Sequence, residues 1–186
     1  MRWFLMKQFK CYIIGGIIFT LLVGTLSHFL YEWTNQNFII GLFAPVNESI
    51  WEHMKLIFFP MLFYSFIINF KFRNNYPCIT SSLSFSILLG TLLIPIFFYM
   101  YTKITGQDIF FLDIITFILS TIIAFFAVYK LTFSCKIKPY AFLLYFVLCV
   151  CLICFLLFTY NPPNAEIFAT PAFYHTSSYS FLILLL

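Results

Sequence analysis

Residues 140–160 read YAFLLYFVLCVCLICFLLFTY and contain no charged side chain. A helix needs roughly 20 apolar residues to cross a hydrocarbon core of about 30 Å. Similar stretches occupy residues 11–31, 50–70, 79–101 and 109–129. Lipid offers the backbone no hydrogen bonds, so only helices and closed barrels can cross it, and these stretches lack the alternation of barrel strands. The sequence predicts an all-α polytopic membrane helix bundle of five spans.

The composition excludes a soluble protein. Apolar residues make up 63% of the 186 positions and charged residues only 9%, whereas a soluble domain carries about 25% charged residues. The lysines and arginines stand in small groups between apolar runs, which is not the pattern of a nucleic-acid-binding face. We expect residues 1–160 to form a single transmembrane bundle with the lipid bilayer as its surroundings, followed by a tail at residues 161–186.

The basic residues predict the orientation of the bundle. They concentrate in alternate segments, and the segments between carry only Lys55 and Lys103. By the positive-inside rule the N-terminus faces the inside and the C-terminus the outside of a bacterial cytoplasmic membrane, with several passes. The acidic residues and histidines all then fall at or near the outer face: Glu32, Glu48, Glu52, Asp108, Asp113, Glu166, His28, His53 and His175.

The densest polar cluster opens the second span, at residues 45–55, PVNESIWEHMK. Helical spacing predicts that Glu48, Glu52 and Lys55 share one face. Ionisable groups at the edge of a span indicate a functional site. A structural interpretation competes with this one, because Ser49-x-x-Glu52 matches a capping box. In that interpretation Asn47 is an alternative cap and Lys55 extends outward to the interface.

Small residues on the first span continue toward the same end. Gly16, Thr20 and Gly24 recur every four residues, which permits close helix packing. The stripe leads to His28 and Glu32, and these side chains could meet Glu52 and His53 if the first two spans pack together. Two imidazoles with two carboxylates suit zinc, iron or manganese. The same groups could instead bind a proton or an ammonium group.

Other polar residues have simpler interpretations. Asp113 opens the fourth span, where it would complement the helix dipole, with a share in the outer site as the alternative. His175 lies in an aperiodic tail. Cysteines 149, 151 and 154 lie inside the fifth span, where they act as small hydrophobes.

The run PVNESIWEHMK, with HFLYEW at residues 28–33 and GLFAP at residues 41–45, resembles the signature of an uncharacterised bacterial membrane-protein family, a domain of unknown function. The resemblance implies a five-helix membrane fold and no established activity. It also singles out the matched motif residues as the ones that matter. After the paired prolines the family pattern has a histidine and then Asp-Pro, whereas this chain has Asn164 and Thr170-Pro171. The motif residues are His28, Glu32, Asn47, Glu48, Trp51, Glu52, His53 and Lys55.

The leading hypothesis is an integral membrane protein of unknown function with a His/Glu site at the outer face. If it is an enzyme, we expect hydrolysis or group transfer on a lipid or envelope substrate. Two other hypotheses are a small transporter and a structural or partner-binding membrane subunit. The oligomeric state stays open. The residues assigned are Glu52 and His53 to catalysis, Lys55 and Asn47 to substrate, and His28, Glu32, Glu48 and His53 to a divalent metal such as zinc.

Overall fold

The computed structural model describes residues 2–170 and contains only helical elements and connections over that range. Residues 171–186 of the tail, with His175, lie outside the described residues. Five helices are long and apolar enough to cross a membrane. The helices are α1 (Arg2–Trp33), α2 (Phe38–Gly41), α3 (Ile50–Phe72), α4 (Ile79–Thr105), α5 (Phe110–Ser134) and α6 (Ala141–Phe158), with short 3-10 turns at Lys138–Tyr140 and Glu166–Phe168.

The five long helices lie where the sequence predicted apolar stretches, but most extend beyond those stretches. α1 begins nine residues before its predicted start and α4 ends four residues after its predicted end. Hydropathy marks the part of a helix that suits lipid, whereas backbone hydrogen bonding continues into the polar ends. The single turn α2 was not predicted. Its N-cap residue is Asn37, whose side-chain oxygen accepts hydrogen bonds from the Ile39 and Ile40 amides.

The bundle is built around α3 and α4. α1 packs on α3 and α5, α4 lies against both α3 and α5, and α6 lies outermost against α4. The small-residue stripe of α1 allows this packing, as the sequence predicted. Thr20 is fully buried, and a β-carbon added at Gly24 would lie 2.6 Å from the carbonyl oxygen of Leu56 on α3.

The two ends of the bundle differ in chemistry. The end where α3 finishes and α4 begins carries basic residues and an aromatic cluster in which Phe9 packs on Phe72 and Tyr76. A disulfide joins Cys78 to Cys135 at this end, with the α-carbons 5.4 Å apart. The sequence did not predict this bond. In the part of the chain that the structure describes, the opposite end, where α1 finishes and α3 begins, holds His28, His53 and the carboxylates.

Candidate metal centre

The start of α3 is fixed by a cap. Ser49 is the N-cap residue, and its hydroxyl accepts a hydrogen bond from the Glu52 amide at 3.3 Å. Asn47 Oδ1 in turn accepts from the Ser49 amide at 2.9 Å. The reciprocal half of a capping box is missing, because the Glu52 carboxylate accepts from the Val46 amide instead, at 3.0 Å. The cap therefore also ties down the loop before α3.

Glu52 and Lys55 form a buried ion pair. Lys55 Nζ lies 2.7 Å from Glu52 Oε2, and the two side chains are 0% and 2% exposed respectively. The ammonium also donates to the Gly41 carbonyl at 3.1 Å and to Thr159 Oγ1 at 2.7 Å. All three of its donors are thus used. The expectation that Lys55 extends outward is wrong, because α2 and the end of α6 bring acceptors to it inside the bundle.

His28 and His53 converge on one carboxylate oxygen. The Nε2 atoms of His28 and His53 each lie 3.4 Å from Oε2 of Glu48. Glu48 precedes the cap, so it does not share a helical face with Glu52 and Lys55, and that expectation is wrong. The expectation that Glu52 meets the histidines is also wrong, since Glu48 takes that place. Glu32 is exposed and lies outside this group.

The geometry of the three groups suits one metal ion. Their ligand atoms all lie within 4.8 Å of one another. Hydrogen bonds from nitrogen to oxygen usually measure about 2.7–3.2 Å, whereas two ligands of a tetrahedral zinc ion, each about 2.0–2.1 Å from the metal, lie about 3.3–3.4 Å apart. The 3.4 Å separations between Glu48 Oε2 and the Nε2 atoms of His28 and His53 match the distance between two ligands of one zinc ion.

Neighbouring groups keep His53 and Glu48 in the protonation states that bind metals. His53 Nδ1 lies 2.9 Å from the Ser49 carbonyl, so it carries the ring proton and leaves Nε2 free, as in metal-ligating histidines. Burial raises the pKa of Glu48, but its interactions with His28 and His53 outweigh burial and leave this pKa lowered. Glu48 therefore stays an ionised ligand.

A cavity of about 30 Å³ borders the group. Glu48, His53, Asp108 and Asp113 line it together with mostly apolar side chains. The Tyr101 hydroxyl lies 2.6 Å from Asp108 Oδ1 and 2.5 Å from Asp113 Oδ1. The polar end of the bundle thus has two groups around a common cavity.

The family model for a family of unknown function, DUF6512, matches residues 1–175. The chain belongs to the DUF6512 family. No curated protein and no solved structure matches the chain significantly. The expected membership of a family of unknown function is thereby confirmed, while the bacterial origin of that family and its PVNESIWEHMK signature stay predictions.

In this DUF6512 chain, sequence reasoning missed Tyr101 and Asp108 as candidate site residues, and for Asp113 it favoured a helix-dipole role over a share in the outer site. Asp113 does lie in the first turn of α5, so that role is compatible with its place at the cavity. Its bond to Tyr101 depends on how α4 and α5 meet across a short connection. The available signal was the clustering of acidic residues at one end of the predicted bundle.

Proposed function

We propose that this chain is an integral membrane protein that binds a divalent metal ion such as zinc through His28, Glu48 and His53. The convergence of two imidazole nitrogens on one Glu48 oxygen at 3.4 Å carries this proposal. Three protein ligands leave one position of a tetrahedral ion open, which is the arrangement of catalytic rather than structural zinc. The adjoining cavity has room for water at that position.

The chemistry we propose is hydrolysis or group transfer on a lipid or envelope substrate. A bound zinc ion supplies a polarised oxygen nucleophile and stabilises negative charge in such reactions. The apolar part of the cavity wall comes from spanning helices, including Leu56, Ile94 and Phe117. A substrate with an apolar chain and a polar ester or phosphoester headgroup matches these surroundings. The basic connections support an orientation with the N-terminus inside and this site at the outer face.

Glu52 and Lys55 take a positioning role in this proposal. Glu52 Oε2 accepts from the Val46 amide, two residues before Glu48, and Lys55 joins it to the Gly41 carbonyl and to Thr159. The pair therefore holds the loop that carries a metal ligand. His53 stays at the reacting centre, and Asn47 holds the Ser49 amide.

A structural or partner-binding role is the second candidate. Capping and the buried ion pair account for Asn47, Ser49, Glu52 and Lys55 without any ligand. In this interpretation His28, Glu48 and His53 converge as ion pairs that stabilise the bundle. This interpretation predicts that their replacement changes stability alone.

Purified protein in vesicles of phosphatidylethanolamine and phosphatidylglycerol, supplied with Zn²⁺, tests the proposal. Mass spectrometry of the lipids should show headgroup cleavage or transfer that a chelator abolishes. The His53→Ala variant should be inactive, whereas Glu166→Gln, which alters an exposed carboxylate, should match the wild type. Equal product from wild type and His53→Ala, or no product from either, would overturn the lipid reaction.

A further inference from the structure

The end of the bundle that carries the disulfide also carries a group of exposed basic side chains, called the basic end below. Its exposed residues are Lys7 and Lys10 on α1, Lys71 and Arg73 at the end of α3, and Lys130 and Lys136 at the end of α5. Within residues 2–170 the ion pairs all involve Glu48 or Glu52, which lie at the opposite end. We propose that the basic end binds anionic phospholipid headgroups, with the principal site where α1 packs on α5. Such binding does not depend on a metal ion at the opposite end.

Aromatic rings hold three of the ammonium groups beside the apolar surface of the bundle. Their nitrogens lie 5.3, 5.8 and 5.4 Å from a ring centre, in the pairs Lys7 with Trp3, Lys10 with Tyr129 and Lys130 with Phe126. A lysine ammonium within about 6 Å of a ring centre is attracted to the face of the ring. Trp3 and Phe126 are 70% and 58% exposed on helices that suit lipid. The charges therefore lie at the edge of the lipid-facing surface.

The contact of α1 with α5 brings these charges from two helices toward one place. Phe9 is fully buried, and its ring centre lies 6.2 Å from that of Tyr129 and 5.8 Å from that of Phe133. Lys10 follows Phe9 and lies over Tyr129, and Lys7 is its neighbour one turn earlier on α1. Lys130 follows Tyr129 on α5. The seam between α1 and α5, formed by Lys7, Lys10 and Lys130, thus has positive charge on both sides.

The depth of this seam favours a lipid over a water-soluble acidic partner. Aromatic residues such as Trp and Tyr mark the level of the lipid headgroups in membrane proteins, and Lys stems run along apolar surface while their charges stay in the polar region. Phe70, beside Lys71, is 85% exposed, so apolar surface continues to the basic end on α3 as well. A phosphate group attached to acyl chains meets both surfaces. Each basic residue at such a level strengthens binding to anionic lipid about fivefold.

Spin-labelled lipids test this binding on the full-length protein in phosphatidylcholine vesicles. The probe is a trace of phosphatidylglycerol or phosphatidylcholine with a nitroxide on its acyl chain, and electron paramagnetic resonance measures the fraction of label that the protein surface restricts. We expect a several-fold preference of the wild type for phosphatidylglycerol. The seam variant Lys7→Gln/Lys10→Gln/Lys130→Gln should lose this preference. The matched control Lys71→Gln/Arg73→Gln/Lys136→Gln removes as many charges from the same end and should keep most of it.

Equal restricted fractions of the two lipids in the wild type would overturn the proposal. A seam variant that keeps the preference, or equal losses in the two triple variants, would overturn the site between α1 and α5. If the seam variant fails to fold, salt decides on the wild type, because the Debye length falls from about 30 Å at 0.01 M salt to about 3 Å at 1 M. The preference should then disappear at high salt, and a preference that salt does not change would also overturn the proposal.

Discussion

The ammonium nitrogen of Lys55 lies 2.7 Å from Oε2 of Glu52, and both side chains are buried within the bundle. A buried ion pair contributes little net stability compared with an apolar pair, but removing one partner leaves an unpaired charge. Here the same pair also binds the Gly41 carbonyl and the Val46 amide. The stability of the loop before α3 therefore depends on both residues.

Lys55→Met should destabilise the protein by about 3–5 kcal/mol, since it leaves Glu52 buried without a cation. The double variant Lys55→Met/Glu52→Gln should recover most of this loss, because it removes both charges. Thermal unfolding in detergent measures the effect. A double variant as unstable as Lys55→Met would show that the charge left on Glu52 is not the cause.

Gly24→Ala should cost about 1–3 kcal/mol, the usual range for overpacking. Its β-carbon would lie 2.6 Å from the Leu56 carbonyl oxygen, and a backbone atom inside a helix cannot move aside. Gly15→Ala is the control on the same helix, because its β-carbon would meet only the end of the Tyr64 side chain, at 2.9 Å. Equal losses in the two unfolding curves would contradict the close packing of α1 on α3.

Acidification should remove the stability that ionised Glu48 provides. The folded pKa of Glu48 lies below its ordinary value of 4.5, so its contribution is fully present above about pH 4.5. The contribution is lost as the pH falls through the lower folded pKa. Unfolding midpoints measured in acid should therefore fall less steeply for Glu48→Gln than for the wild type. Glu166→Gln should follow the wild type, and parallel curves for all three proteins would contradict the assignment.

The disulfide gives a test of orientation. The proposal with the N-terminus inside puts Cys78 and Cys135 at the cytoplasmic face, where thiols are kept reduced. Alkylation of cells under denaturing conditions should therefore label all six cysteines. After oxidation of the purified protein only Cys11, Cys149, Cys151 and Cys154 should react. Four labelled cysteines from cells would contradict this orientation.

Closing the same bond should stabilise the bundle by about 2–4 kcal/mol, because it restricts the unfolded chain over a separation of 57 residues. Unfolding of the oxidised and reduced protein compares the two states directly. Cys78→Ser should behave like the reduced protein whatever the redox conditions. A midpoint that does not depend on redox state would contradict this expectation.

The five long apolar helices could be predicted because lipid leaves the backbone almost no alternative to a helix. Residues 140–160 carry that signal alone, without any knowledge of tertiary contacts. The exact start of α3 was harder to predict, and it determines which carboxylate meets the histidines. α3 begins at Ile50, so Glu48 lies in the loop and reaches His28 and His53, while Glu52 turns to Lys55.

The remaining site contacts depend on tertiary structure. Tyr101 meets Asp113 only because α4 and α5 pack side by side. Lys55 donates a hydrogen bond to Thr159, which lies 104 residues away in the sequence. No local sequence pattern predicts either contact. By contrast, the stripe from Gly16 to His28 has a period of four residues, and it correctly indicated that His28 faces the bundle.

The metal content of detergent-purified protein tests the central claim most directly. After exposure to Zn²⁺ and removal of free ions, mass spectrometry of the wild type should find at least one tightly bound zinc ion per chain. His53→Ala should lose it while keeping the same elution volume. A wild type without bound metal, or a His53→Ala variant that holds as much as the wild type, would contradict a metal site at His28, Glu48 and His53.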